Sequence, residues 1–419
     1  MTRPVIRCGP LRAACVAGVL LCTGPGGAQA PRRGTAAVAS ARPPAGWAAF
    51  TQLFDTAADR DSIVGAAVVL VRDGQVVAHH EHGFADRDRR ERITPATIFH
   101  YGSITKTLTA IGIMQLRDRG RLTLDDRVDG YIPELRRVHD PYGSMDSVTI
   151  RMLLSHSAGF QNPTWPYKQG KPWEPFEPTT WEQLVAMMPY QELLFKPGSR
   201  YSYSNPGFIY LGRIMEQLSG DPWESYVQKN IFNPLGLTHS YFGITPYYLV
   251  ADRSHNYTLV RDSAGREVVR DNGTEFDPGI TIPNGGWNAP LGDLATYVAF
   301  LTGAAHGDPA LARVYDTVLP AASLRDMWQP RYPTALDGTD TPSDSVGMSF
   351  FIAHRAGGRY IGHTGSQAGF LAFLYLNPAN RTGVVAAFNT ASDLPTGGGP
   401  TAQPSAFQRI RDAALDLLN

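Results

Sequence analysis

Cysteine is nearly absent: the 419 residues contain three, Cys8, Cys15 and Cys22, and none beyond. From residue 23 onward the chain therefore holds no disulfide, no thiol nucleophile and no zinc–thiolate site. Excess charge is absent too, with 38 basic and 38 acidic residues. A balanced chain lacks the electrostatic footprint of a nucleic-acid binder or of a protein held to an anionic membrane. Past the first thirty residues no run approaches about eighteen apolar residues, so no transmembrane span is expected there. Several enzyme signatures are missing as well: no Gly-x-Ser-x-Gly elbow, no His-Glu-x-x-His zinc motif, no glycine-rich phosphate loop after an early strand. What is present is an ordinary globular composition, 43% hydrophobic and 18% charged, in a length that suits one large domain or two average ones.

The first thirty residues differ from the rest. Arg3, Arg7 and Arg12 give a basic start with no acidic residue, Ala13 to Leu21 is a short apolar run, and Ala28-Gln29-Ala30 offers small residues for cleavage. This is the pattern of a secretory signal peptide. Cleavage after Ala30 would leave 35 basic against 38 acidic residues and would carry all three cysteines away. The alternative is lipid attachment at Cys22, which the preceding Leu21 suits poorly. Export without cysteine points to a secreted or periplasmic protein. Residues 31–46, rich in Ala, Pro and Arg, read as a flexible linker.

Residues 47–58 have the spacing of a short amphipathic helix. Two β-rich runs, Gly65 to Val71 and Gln75 to His79, flank Asp73-Gly74 and predict a hairpin. His79, His80 and His82 cluster with Glu81 at its end. Successive strand residues point to opposite faces, so these four cannot all meet one ion. Helical patterns dominate from about residue 110, at about 148–155, 181–188, 208–218 (closed by Gly220) and 222–231. Between them, residues 161–180 carry Pro163, Pro166, Pro172, Pro175 and Pro178 beside Trp165, Tyr167, Trp173 and Phe176. So many prolines exclude a regular helix or a central strand; the stretch is either a lip over a cleft or a loop packed on the body. From about residue 345 the pattern turns to strands, at about 345–353, 359–362, 369–376 and 382–389, and a last helix covers about 404–418. Strands at both ends and helices between predict an α+β fold. Its antiparallel sheet would be built from N- and C-terminal segments and flanked by helices, with a mostly helical region inserted at about 110–280.

One stretch carries chemistry. Phe99-His100-Tyr101-Gly102-Ser103-Ile104-Thr105-Lys106 reads as a loop running into a helix that ends near Arg119, before Gly120. Ser103 would lie in the first turn, where backbone N–H groups lack partners and the helix dipole is positive. Lys106, three residues on, shares its face. A serine hydroxyl is a poor nucleophile, and a neighbouring amine of lowered pKa can take its proton. The plainer alternative is a capping serine beside an exposed lysine.

Two further patterns follow in order: Tyr203-Ser204-Asn205, then His363-Thr364-Gly365-Ser366 on a predicted strand. With Ser103-x-x-Lys106 they resemble the active-site set of the serine β-lactamase and penicillin-binding protein superfamily. Tyrosine in the second motif resembles the class C β-lactamase-like branch, which also holds D,D-peptidases, D-aminopeptidases and esterases. Gly83-Phe84-Ala85-Asp86, the Leu153 to Phe160 stretch, Pro197-Gly198 and Asn233-Pro234-Leu235-Gly236-Leu237 extend the resemblance over about residues 47–418. It implies a β-lactamase/transpeptidase-like fold and a hydrolase that forms an acyl-enzyme. Ser103 would be the nucleophile, Lys106 its activator and Tyr203 the relay to the leaving group, with the general base open between Lys106 and Tyr203. Asn205 would hold Lys106 and the substrate amide. His363 and Thr364 would line the strand edge where substrate lies, Gly365 would let that backbone approach closely, and the N–H groups of Ser103 and Ser366 would form the oxyanion hole. The set calls for no metal and no cofactor. Its partner would be a small-molecule or peptide substrate, with peptidoglycan among the candidates. His363 departs from the lysine of many β-lactamases of this branch and favours a peptidase or esterase. The competing reading is a penicillin- or peptidoglycan-binding protein that acylates but barely turns over.

Overall fold

Along Gly65–Arg72 the side chains alternate between two apolar environments, and this strand (β1) is an inner strand of the main sheet. The computed structural model describes residues 43–162, 178–305, 307–334, 344–355, 358–394 and 404–419. The expected signal peptide, residues 31–42 of the expected linker and residues 163–177 of the proline-rich tract lie outside the described residues. The sheet continues with β2 (Gln75–Asp86), β3 (Glu91–Arg92), β4 (Tyr332–Pro333), β5 (Ser345–Val346), β6 (Phe351–Arg355), β7 (Gly358–Gln367), β8 (Phe370–Asn377) and β9 (Thr382–Phe388). The strand order is β3-β2-β1-β9-β8-β7-β6-β5-β4, antiparallel throughout. N- and C-terminal segments thus meet at the β1–β9 pair, where Val68 faces Ala386 and Val69 faces Val385.

The period of two along these strands builds two cores. Ala66, Val68 and Leu70 join Phe373, Tyr375, Val384 and Ala386 under the terminal helices α1 (Trp47–Arg60) and, further along the chain, Ala406–Asp416. Phe50 and Phe54 of the first and Ile410 and Ala414 of the last supply the helical side of that core. Ala67, Val69 and Val71 face the other way, with Leu374, Leu376 and Val385. There they meet α2 (Thr105–Asp118), α3 (Asn205–Ser219) and α4 (Leu291–Leu301). Each fully buried Val, Leu or Phe contributes about 1.5–3 kcal/mol; because both faces of β1 are apolar, a slip of one residue would exchange its side chains between the two cores and misfit both.

The inserted region is less helical than its pattern suggests. Tyr257–Arg261 and Glu267–Asp271 form a hairpin, and Thr390–Ser392 adds to it in parallel. Ile98–His100, Trp287–Pro290 and Tyr241–Phe242 make a second three-stranded sheet. These strands are two to five residues long, too short for alternation to register, and most pair with partners far away in the chain. The run expected as one strand at 345–353 is broken after Val346, where Ser349 adopts a positive φ of 67°. The histidine tract follows its parity. His80 and His82, on one face, both bond Asp55 Oδ1 of α1, while His79 bonds Glu81 on the other. No helix among the described residues is long and apolar enough to cross a membrane.

Candidate active site

Ser103 sits in a single 3₁₀ turn, Gly102–Ile104, that leads directly into α2. The turn is fastened at both ends. The Thr105 hydroxyl donates to the Gly102 carbonyl and accepts from the Trp287 N–H, and Tyr101 N–H donates to the Trp287 carbonyl. Ser103 is half-buried, whereas Lys106 has no exposed surface. The Lys106 amine lies 3.0 Å from Ser103 Oγ and donates to the Asn284 carbonyl at 2.8 Å. Burial pushes its pKa well below the usual lysine value, because a desolvated ammonium is disfavoured. A neutral amine can donate to Asn284 while offering its lone pair to the serine hydroxyl.

Tyr203 precedes α3, whose first turn is capped by the Ser204 hydroxyl accepting from Gly207 N–H. The Lys106 amine is 4.9 Å from the centre of the Tyr203 ring and 5.8 Å from that of Phe208. The contacts of Asn205 differ from those expected. Its side-chain amide donates to Asn162 Oδ1 at 3.3 Å, and its carbonyl accepts from Asn284 Nδ2 at 3.3 Å. The hold on Lys106 comes from Asn284, which Asn205 in turn braces. Nothing in the sequence marks Asn284: it lies 178 positions from Lys106 and contributes a backbone atom.

His363, Thr364, Gly365 and Ser366 lie in the second half of β7. β6 pairs with β7 as far as Gly362; beyond it β7 runs on against β8, and its end meets the Ser103 turn. The approach is tight enough to require glycine on both sides. A Cβ on Gly365 would stand 2.0 Å from the Tyr101 carbonyl oxygen and 3.3 Å from Ser103 N. A Cβ on Gly102, where φ is +47°, would stand 2.9 Å from Ser366 N. The space at Gly365 is thus taken up by the serine turn itself. Thr364 is half-buried and Ser366 exposed.

His363 is 1% exposed, with its ring under Phe351 (5.0 Å between centres) and 6.2 Å from Tyr203. Its Nδ1–H donates to the Thr364 carbonyl, and among the described residues the buried Nε2 lone pair has no hydrogen-bond partner. Burial first, and then the nearby Lys106 amine, pull its pKa down to about 3. Two further histidines, His100 and His156, adjoin these residues. His100 bonds Asn288 through Nδ1 and Gln367 through Nε2, and Gln367 reaches Thr281, so the end of β7 is tied to the segment carrying Asn284. His156 stacks on Tyr203 with ring centres 4.4 Å apart.

A model of the Beta-lactamase family matches residues 50–402. Among sequence relatives, Protein flp of Staphylococcus aureus (strain COL) is 23% identical over 346 residues, 82% of this chain and 64% of its own length. The chain therefore spans less than two thirds of that relative. Putative penicillin-binding protein PbpX of Bacillus subtilis is 31% identical over 174 residues, 42% of this chain and 40% of its own. Among solved structures, the octameric penicillin-binding protein homologue from Pyrococcus abyssi has a TM-score of 0.69 at 26% identity, over 88% of this chain and 77% of that one. The D-amino acid amidase from Ochrobactrum anthropi complexed with D-phenylalanine gives 0.68 at 19%, over 88% and 99%. A class C β-lactamase gives 0.67 at 19%, over 88% and 97%. At such identity the last two establish the α+β β-lactamase/transpeptidase-like fold.

Proposed function

The chain belongs to the Beta-lactamase family, and on that premise we propose that it is an exported serine hydrolase acting through an acyl-enzyme on amide or ester bonds. One observation carries the proposal: a lysine amine with no solvent exposure sits 3.0 Å from the Ser103 hydroxyl. Ser103 Oγ attacks the substrate carbonyl carbon, and its proton passes to Lys106. The negative charge that develops on the carbonyl oxygen is met by the N–H groups of Ser103 and Ser366. Tyr203 relays a proton to the leaving group, its C–N or C–O bond breaks, and water later releases the acyl group from Ser103. Lys106 is favoured as the base. A tyrosinate at Tyr203 would need two neighbouring cations, yet burial drives both Lys106 and His363 toward their neutral forms.

The same neutrality bears on substrate. A lysine in the third motif is a fixed positive charge for a substrate carboxylate, and a charged hydrogen bond is worth roughly 1.5–3 kcal/mol against about 1 for a neutral one. His363 offers no such charge. Small esters and D-amino-acid amides or peptides are the favoured substrates, and β-lactams the disfavoured ones.

The test is intact-mass spectrometry after incubation with a phosphonate, a fluorescent penicillin, a D-Ala-D-Ala peptide and a p-nitrophenyl ester, on wild type and Ser103→Ala. Adducts on wild type alone, with ester or D-peptide turnover exceeding penicillin turnover, support the reading. Equal labelling of Ser103→Ala removes Ser103 as nucleophile. Labelling without turnover makes the protein a penicillin- or peptidoglycan-binding receptor.

A further inference from the structure

The stretch Leu153 to Phe160 takes no part in the chemistry above, yet its histidine makes three contacts with the tripeptide centred on Tyr203. The Ser202 N–H donates to the His156 carbonyl at 2.8 Å. The Ser204 N–H donates to His156 Nδ1 at 3.1 Å. The imidazole lies over the Tyr203 ring at 4.4 Å with planes 27° apart. The two backbone groups belong to the residues on either side of Tyr203. We propose that His156 is the positioning residue of Tyr203, holding its backbone and its ring so that the phenol meets the Ser103–Lys106 pair. The inference rests on the reading of Tyr203 as the proton relay.

The geometry narrows what can stand there. A backbone N–H only donates, so Nδ1 must carry a lone pair and the ring proton sits on Nε2. Protonating Nδ1 would break the Ser204 bond, and burial opposes it as well. The ring is therefore a neutral clamp. His156 has a φ of +53°, a left-handed conformation uncommon outside glycine but several-fold enriched in Asn, Asp and His. That conformation, just after the short helix Ile150–Leu154, lets one residue offer both its carbonyl and its ring to the same tripeptide. A hydrophobic residue could fill the space beside Tyr201 and Phe208, whose rings also border the imidazole. It could not accept from Ser204.

A double-mutant cycle tests this, using the acylation rate on a p-nitrophenyl ester. His156→Phe keeps an aromatic stack and removes the acceptor; it should slow acylation by about tenfold to hundredfold, the penalty of a misplaced catalytic group, with KM changed less than about twofold. In a Tyr203→Phe background the same substitution should cost nothing further. His156→Asn places an oxygen where Nδ1 stands and tolerates the left-handed backbone, so it should acylate faster than His156→Gln, which does not. That comparison stands in for His156→Phe should the latter fail to fold. An equal loss in both backgrounds, or equal rates for the Asn and Gln variants, would reduce His156 to a packing residue. Wild-type acylation by Tyr203→Phe alone would remove the relay itself, and the role of His156 with it.

Discussion

The Lys106 amine lies 3.0 Å from the Ser103 hydroxyl and has no access to solvent. A helix brings the two side by side because residues three apart share a face; burial then pulls the amine's pKa down, since a desolvated ammonium is disfavoured. The same burial leaves a thermodynamic signature that can be read without any substrate.

Lys106→Met should lose at least about a hundredfold in acylation rate, the size of a general-base contribution. It should also change how stability depends on pH. Burial pulls the Lys106 pKa in the folded wild type well below that of the unfolded chain, which binds a proton up to the usual 10.5. Wild type should therefore gain stability relative to Lys106→Met by about 1.4 kcal/mol per pH unit between the folded-state pKa and 10.5. Urea unfolding of both proteins at pH 7, 8 and 9 measures this. Parallel curves would mean that Lys106 keeps its proton in the fold.

Tyr203→Phe should lower the acylation rate by at least about a hundredfold and change substrate binding little. Pre-steady-state acylation at saturating ester separates the two. A near-normal rate would leave Tyr203 as a packing partner of His156 and Phe351, whose rings lie 4.4 and 6.4 Å away.

Much of this site was legible in the chain, for reasons that differ by residue. Ser103 and Lys106 are tied by helical spacing, and the third motif by a strand flanked by turns. Both are local relationships. The partners that finish the site are not local. Asn284 contributes a carbonyl from a four-residue helix that leaves no periodic trace. His156 works through an unusual φ and a tautomer, neither visible in a string of letters. Asn205, expected to hold Lys106 and the substrate amide, donates its side-chain amide to Asn162, while its carbonyl accepts from Asn284, whose own carbonyl takes the Lys106 amine. The sheet is readable in β1, β8 and β9, each seven or eight residues long, and only in part in the longer β2 and β7. The two-residue strand β4 leaves no trace in the pattern, since alternation needs length to show.

Gly365→Ala tests the contact between β7 and the serine turn. The new methyl would stand 2.0 Å from the Tyr101 carbonyl oxygen, a backbone atom with no flexible end to move aside. The strand and the turn must separate, and displacement by about 1 Å costs on the order of a hundredfold in rate. Acylation should fall by that amount while α1 and the terminal helix, on the far side of the sheet, stay folded. Circular dichroism with ester kinetics checks both halves. A fully active Gly365→Ala enzyme would show that the oxyanion donors do not depend on this approach.

The last prediction concerns acid. His363 is held down to a pKa of about 3 and His100 to about 4, both through burial first. In the unfolded chain each returns to the usual 6.5. Between these values the unfolded state binds more protons than the fold, so acid favours unfolding. The stability is complete above pH 6.5 and drains away as pH falls toward 4 for His100 and 3 for His363. At pH 5 each histidine should have taken away about 2 kcal/mol relative to pH 7.5. His363→Gln should remove its share, flattening the fall by about 2 kcal/mol. Urea midpoints at pH 7.5, 6 and 5 give the comparison. A wild type as stable at pH 5 as at 7.5 would mean that these imidazoles take up protons inside the fold. His363 would then be cationic within reach of Tyr203, and the case against β-lactams as substrates would fall with its neutrality.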